Sequence, residues 1–364
     1  MLKSMDSRTV EDSKDPFVQA DVEALAKDPK IPWKTFYGKR ILITGATGLI
    51  GSLLTKAIAC HNRLFKKDIF IVAYARHREK ATNIFKDIIS RKYVELCTGE
   101  IIQPITITNK PDYIIHTASP TASQDFVSKP VETISAIIQG TLNTLNLARS
   151  SNASGVVFLS SLEYYGIPSD GNECVSEKDL GYVDPLQVRS SYSEGKRLAE
   201  TLCMSFYSEY GVPVSIARLA QTFGPGISTE DNRVFAQFSK SIIKKENIIL
   251  RTKGETVRNY CSTYDVVSGI LLLLAKGARG EAYNIANPNT TISIADMAKM
   301  VCSSFGNGNS QVIFDISESP DKLGFNPTMR ISLNSKKIQE LGWAPTQDLH
   351  KMFYNTIKSL KIRM

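Results

Sequence analysis

The sequence is poor in metal-binding chemistry. Its 364 residues carry only four histidines and six cysteines, with no C-x-x-C pair. Cys60, Cys97, Cys174, Cys203, Cys261 and Cys302 are dispersed, as are His61, His77, His116 and His350. That spacing suits no zinc site, so no metal is expected. It suits no small disulfide scaffold either, and reduced, mostly buried thiols are expected. Long apolar runs are also missing. The run Ile270 to Ala275 stops at Lys276, far short of the roughly 18–20 residues that cross a bilayer. Asp6, Arg8, Glu11, Asp12 and Lys14 interrupt the N-terminus. No apolar signal core is therefore expected, and the expectation is a cytoplasmic protein without membrane contact. Lys and Arg outnumber Asp and Glu by 44 to 36, a net charge of +8. These charges are scattered and not interleaved with aromatics, so nucleic acid is not the expected partner.

What is present is ordinary globular material, 42% hydrophobic and 22% charged. The length allows one large or two modest domains. Residues 1–38 read as an N-terminal extension. Its first 16 residues are polar and read as disordered. Then Asp15 caps, Pro16 opens, and Phe17, Val18, Val22 and Leu25 follow at helical spacing, which predicts a short amphipathic helix. From residue 39 short apolar runs alternate with helical patterns. Arg40 to Thr44, Ile69 to Tyr74, Asp112 to His116, Gly155 to Ser160 and Val214 to Arg218 read as strands. Helices are predicted between them, near 79–90, 130–150 and 190–210. Unbroken apolar strands alternating with helices predict an α/β fold with a doubly wound parallel sheet. The expected division is a dinucleotide-binding Rossmann-type domain over 39–225, with a return segment near 259–285, and a smaller C-terminal α/β substrate lobe over 226–364. The last helices are predicted near 293–305, 334–341 and 348–360.

Gly45-Ala46-Thr47-Gly48-Leu49-Ile50-Gly51 lies where the first strand meets the first body helix. Glycines there allow a tight turn and close approach of a pyrophosphate to the helix N-terminus. The position in the first strand–helix unit, rather than the glycines alone, predicts dinucleotide binding. At the end of the second strand stands Tyr74-Ala75-Arg76-His77-Arg78, with no carboxylate before Glu79. NAD or NADP fits; Arg76 can fork onto a 2′-phosphate and leans the choice to NADP. Further on, Tyr192-Ser193-Glu194-Gly195-Lys196 puts a phenol and an ammonium on one helix face. A free Tyr ionises near about pH 10. Nearby Lys196 and an oxidised nicotinamide are expected to lower that value, so that Tyr192 can act as a base. Ser161, at a strand end, can hold the same substrate oxygen.

The turn spacing G-x-x-G-x-x-G resembles that of short-chain dehydrogenase/reductases. With Asp112 to Ser119, Gly140 to Asn143, Ser160 to Gly166, Tyr192 to Glu200, Arg218 to Pro225, Arg258 to Asp265 and Leu341 to Pro345, the resemblance covers most of the chain. It is to the extended branch, the nucleotide-sugar epimerase/dehydratase family. Within that branch His116 to Pro120 and Ser191 to Glu200 most resemble the UDP-glucuronate decarboxylases. The resemblance implies a tightly bound, recycled nicotinamide cofactor and a nucleoside-diphosphate sugar oxidised at C4. The oxidised sugar is then decarboxylated or 4,6-dehydrated, with 4-epimerisation as the alternative. A non-catalytic dinucleotide-binding regulator ranks last, because Ser161, Tyr192 and Lys196 are all present. The resemblance assigns Gly45, Thr47, Gly48, Leu49, Ile50, Gly51, Arg76, Glu100, Ile101, Ala118, Tyr192 and Lys196 to the cofactor. It assigns Ser119, Gln221, Arg233 and Arg258 to the substrate. Glu163, two positions after Ser161, would remove the C5 proton if burial raised its pKa. Three positions depart from the family pattern. Leu162 stands where dehydratases have an aspartate and decarboxylases a serine. Ile137 stands for an asparagine, and Gly226 for the decarboxylases' arginine. Many relatives dimerise through two helices per subunit, here 130–150 and 190–210, so a homodimer is expected.

Overall fold

The apolar runs become strands of one sheet. In the protein's structure, a computed structural model, residues 10–169, 173–316 and 328–364 are described. Seven strands lie in the order Glu281–Ile285, Val214–Leu219, Gly155–Ser161, Tyr113–His116, Arg40–Thr44, Phe70–Ala75 and Val94–Thr98. Every pairing among them is parallel. Alternate side chains feed two separate cores. Ile41 and Ile43 join Leu54, Ile58 and Ile270, whereas Leu42 joins Leu145, Ala199 and Cys203. The helices Leu49–Phe65 and Thr263–Lys276 therefore cover one face, and Pro130–Ser151 and Ser190–Tyr210 the other. Burial on both faces explains why these strands read as continuous apolar runs. Strand order reverses beside Arg40–Thr44, which is where open α/β sheets form a ligand crevice.

A second sheet holds Asn287–Ser293, Val257–Ser262, Arg330–Leu333 and Cys174–Val175, with Gln221–Phe223 paired to Val257–Ser262. A third apolar cluster, around Phe223, Phe235 and Phe353, packs the helices Val234–Lys244, Ile294–Phe305 and Leu349–Arg363 against it. Two predicted helices are shorter than expected. The one near 79–90 is Arg78–Ile84. After it Phe85 and Ile88 enter the core through tighter turns, Ile88 N to Phe85 O and Arg91 N to Ile88 O. The one near 334–341 is Lys336–Gln339.

The N-terminal extension is fastened, not loose. Residues 1–9 lie outside the described residues, but the expectation of disorder fails for 10–15. Glu11 has a fully buried side chain between Arg63 at 2.8 Å and Arg91 at 2.6 Å. Asp12 pairs with Lys56 at 2.7 Å. The predicted helix is Pro16–Lys27, and the Asp15 side chain accepts from the N–H groups of Phe17 and Val18. Asp15 also accepts from the Ser359 hydroxyl at 2.5 Å and pairs with Arg363 at 3.2 Å. Ser359 in turn accepts the Gly226 N–H at 3.0 Å. Gly226 has φ +89°, and a Cβ there would meet Val18 Cγ2 at 3.3 Å. The departure at Gly226 thus goes with the docked N-terminal helix.

Candidate active site

The glycine turn is built as a cradle. Gly45 has φ +65°, and a Cβ on it would lie 2.8 Å from the Ala118 backbone. A Cβ on Gly51 would lie 2.4 Å from the Gly45 carbonyl. A side chain at Gly45 would push the turn off the segment that follows Tyr113–His116, and one at Gly51 would push the helix Leu49–Phe65 off the turn. Gly48 is exposed and caps the helix Leu49–Phe65 without any side-chain cap, so the first N–H groups point outward. Thr47, Leu49 and Ile50 line that turn, partly buried. An open, uncapped helix N-terminus behind a glycine turn fits a pyrophosphate. At the far end Glu100 and Ile101 form a turn that Asn143 holds by donating to the Ile101 and Gln103 carbonyls at 2.9 and 2.8 Å. Gly140 gives Ile101 room, since a Cβ would sit 2.9 Å from it. Arg76 is exposed at the end of Phe70–Ala75, and its Nε donates to His77 at 2.9 Å.

Beneath the cradle, His116 is buried between Thr44 at 2.7 Å and Thr144 at 3.1 Å. Burial, with Lys196 adding, pushes its pKa down to about 3, so it is neutral. It ties the end of Tyr113–His116, which leads into Ala118 and Ser119, to the first strand. The Ala118 N–H donates to Thr44 at 3.4 Å, and the Ser119 hydroxyl donates to the Pro120 carbonyl at 3.3 Å.

Ser161, Tyr192 and Lys196 come together as the sequence predicts. Ser161 ends its strand and caps the short 3-10 turn Leu162–Tyr165 by accepting from the Glu163 N–H at 3.2 Å. Its hydroxyl is close enough to the Tyr192 phenol to favour the phenolate. Lys196 donates to the Leu159 carbonyl at 2.8 Å, and its Nζ lies 5.7 Å from the centre of the Tyr192 ring. Burial lowers the Lys196 pKa to about 8, against the opposing pull of Glu200 and Cys203. The expected fall in the Tyr192 pKa is not found in the protein alone. Burial first, then the charge of Glu163, raise it; Ser161, Arg233 and Arg189 oppose.

Glu163 likewise departs from expectation. Burial, the largest single influence, works to raise its carboxyl, but Arg189, Arg258 and Ser193 together outweigh it, and the pKa is lowered. The cause is geometric. Arg189 grips both carboxylate oxygens, Nη1 to Oε2 at 2.8 Å and Nη2 to Oε1 at 3.1 Å. Such a forked, charge-assisted pair favours the ionised form. Leu162 beside it is buried in the core and offers no proton. Ile137 packs under Gly195, where a Cβ would meet it at 3.1 Å, and so fits the two helices together.

The substrate candidates surround this centre unevenly. Arg258 rises from Val257–Ser262, and its Nη2 reaches Met329 Sδ at 3.1 Å. Burial lowers its pKa while Glu163 raises it. Arg233 precedes the helix Val234–Lys244 and forks onto Asp231 at 2.6–3.1 Å. It is close enough to favour the Tyr192 phenolate. Gln221 lies beside Tyr260 in the second sheet. Trp343 is core, its indole N–H donating to the Asp265 carbonyl at 2.9 Å. Two guanidinium Nε atoms, of Arg189 and Arg258, are buried without a hydrogen-bond partner among the described residues. Buried orphan donors are rare and fit an anionic ligand at this centre. The sequence alone did not single out Arg189 or Phe126. The Phe126 ring stacks on Tyr192 at 4.2 Å and 9°, and Arg189 sits 5.5 Å from its centre. Arg189 carried one local signal: three residues before Tyr192, it reaches the same helix face. Phe126 carried none.

The chain is similar to known proteins. A model of the NAD dependent epimerase/dehydratase family matches residues 41–286. UDP-glucuronic acid decarboxylase 1 of Xenopus tropicalis is 32% identical over 320 residues, spanning 88% of this chain and 71% of that protein. UDP-glucuronic acid decarboxylase 6 of Arabidopsis thaliana is 31% identical over 314 residues, 86% of each chain. Among solved structures, the UDP-glucose 4-epimerase of Thermotoga maritima with UDP-glucose has a TM-score of 0.74 at 21% identity, covering 88% of this chain and 98% of that one. The dTDP-glucose 4,6-dehydratase of Streptomyces venezuelae with NAD and TYD bound has a TM-score of 0.73 at 21% identity, covering 88% and 97%. At that identity the solved structures speak for the fold alone.

Proposed function

The chain belongs to the NAD dependent epimerase/dehydratase family, and from that premise we propose that it oxidises a UDP-linked uronic acid at C4 and releases the sugar carboxylate as carbon dioxide. It is a nucleotide-sugar modifying enzyme. The curated relatives named as UDP-glucuronic acid decarboxylases support this choice of substrate. Bound at the glycine cradle, a nicotinamide dinucleotide supplies reversible two-electron oxidation of a sugar carbon. Thr47, Gly48, Leu49 and Ile50 would present the uncapped helix end to its pyrophosphate, and Glu100 and Ile101 would border the adenine. No carboxylate stands at 74–78 to repel a 2′-phosphate, and exposed Arg76 supports NADP as the preferred form.

The protein's own groups divide the work. Tyr192 takes the proton from the C4 hydroxyl, and Ser161 holds that oxygen. Lys196, positively charged beside the ring, stabilises the phenolate and orients the cofactor ribose. Arg258, with Arg233 and Gln221, holds the diphosphate. A 4-keto group then accepts the electron pair of the C5–carboxylate bond as carbon dioxide leaves, and C5 takes a proton afterwards.

One observation carries the choice of decarboxylation over dehydration. Glu163 is gripped at both oxygens by Arg189, and its neighbour Leu162 is apolar. A 4,6-elimination needs a free base for the C5 proton and an acid for the C6 hydroxyl; these two positions supply neither. Decarboxylation needs no base at C5. The test is incubation with UDP-glucuronic acid and either cofactor, read by mass spectrometry. Loss of carbon dioxide is expected; UDP-glucose, which has the C6 hydroxyl that a uronic acid lacks, is run in parallel, and loss of water from it with no carbon dioxide from the uronic acid would overturn the reading. The absence of a side-chain acid at Leu162 also suits 4-epimerisation, which leaves the mass unchanged and is read by separating the epimers. The active form we infer is a homodimer joined through the helices Pro130–Ser151 and Ser190–Tyr210.

A further inference from the structure

Tyr192 faces four charged groups. Glu163 approaches from the turn after Ser161, Arg189 from the residue before the helix Ser190–Tyr210, Lys196 from that helix, and Arg233 from the residue before the helix Val234–Lys244. Arg258, from the second sheet, faces Glu163. Three of the four groups at Tyr192 are cations. Glu163 is the single anion among them, and it disfavours the phenolate that the reaction requires.

Arg189 answers that charge. Its fork covers both Glu163 oxygens, at 2.8 and 3.1 Å. Its guanidinium also faces the ring of Phe126, which lies parallel on Tyr192. Ser191, two residues on, donates to the Phe126 carbonyl at 2.9 Å and fixes the short helix Asp125–Ser128 that carries the ring. One side chain thus reaches the anion beside the phenol and the ring stacked on it. An exposed arginine would do little at this distance, but here both partners are largely buried, with side-chain exposures of 17% and 10%, and screening is weak.

We propose that Arg189 is a positioning residue that holds Glu163 charge-paired and aimed beside Tyr192, so that Tyr192 can ionise within reach of an anionic sugar. The proposal rests on the functional reading above for its substrate. Without Arg189, Glu163 becomes an unpaired buried carboxylate that repels both the phenolate and a uronate.

Four proteins form the core of the test, the wild type, Arg189→Met, Glu163→Gln and the double variant, with Arg189→Lys as a fifth. Arg189→Met is expected to move the rising limb of the kcat/KM–pH profile to higher pH, by about 1–3 units. Adding Glu163→Gln should return the limb toward its wild-type position, because the repelling charge is gone. Arg189→Lys, which keeps the charge but loses the fork, should lie between wild type and Arg189→Met. A uniform loss at all pH values, with no rescue by Glu163→Gln, would overturn the proposal. The same four proteins are unfolded in urea at pH 7 as a double-mutant cycle, which needs no substrate. Coupling between positions 163 and 189 is expected, and its absence overturns the proposal whatever the activity. If the wild type turns over no nucleotide sugar, the functional reading fails alone, and the cycle decides the pairing.

Discussion

Tyr192 and Gly51 show how single atoms set the chemistry. The phenol is the one group at the site whose loss removes the base without disturbing a charge pair. Tyr192→Phe is expected to lower kcat by about 10²–10⁴-fold while cofactor affinity, measured by calorimetry, stays within a few-fold. Full activity in that variant would remove Tyr192 from the mechanism. Much of this centre was legible in the sequence because its signals are local. Y-x-x-x-K needs one helical turn, and the glycine turn needs seven consecutive residues. The fork of Arg189 on Glu163 was not legible, since it joins residues 26 apart through a turn whose direction only the fold decides. For the same reason the condition attached to Glu163, a pKa raised by burial, is not met in the structure. Burial was foreseeable, but the partners that together outweigh it were not.

At the scale of elements, the N-terminal helix Pro16–Lys27 was readable from its cap, its proline and its apolar spacing. Its attachment was not. Glu11 meets Arg63 and Arg91, 52 and 80 residues away, and nothing in the polar run 10–15 announces partners at that separation. The helix also carries a titratable burden. Burial raises the Asp21 carboxyl to about 7, with Asp265 and Asp15 adding and Lys351 and Gln347 opposing. In an unfolded chain it titrates near about 3.9. Between those values the folded state holds the proton more tightly, so this group's share of stability is full below about pH 4 and lost as pH rises through 7. Asp21→Asn removes the dependence. Its gain in melting temperature over wild type is expected to be larger at pH 8 than at pH 5, and equal gains would contradict the assignment.

At the scale of the whole molecule, the parallel sheet was readable because both of its faces are buried and its strands therefore lack alternation. The strand order, with Glu281–Ile285 returning to the edge beside Val214–Leu219, was only partly so, since that strand is short and starts with exposed Glu281. The helices on one side still present apolar residues outward. Val131 is 70% exposed and Ile134 43% on one helix, and Leu198 is 50% exposed on its neighbour. Paired with the same face of a second copy, they would be covered. Light scattering is expected to give twice the chain mass, and the variant carrying Val131→Glu and Leu198→Glu is expected to give one. A wild type that stays monomeric at tens of micromolar would remove the dimer.

The bond between Asp15 and Ser359 spans 344 residues of chain. Read as an interval of time rather than of space, that separation orders the folding of the protein. At about 5–20 residues per second on the ribosome, Asp15 waits roughly 20–70 s for its partner. The helix Pro16–Lys27 can settle on Leu49–Phe65 early, with its cap made but Ser359 and Arg363 still to come. Gly226, which donates to the same serine, is synthesised in that wait. The seam joining the N-terminal helix, the Gly226 turn and the last helix is therefore completed only as the final helix emerges.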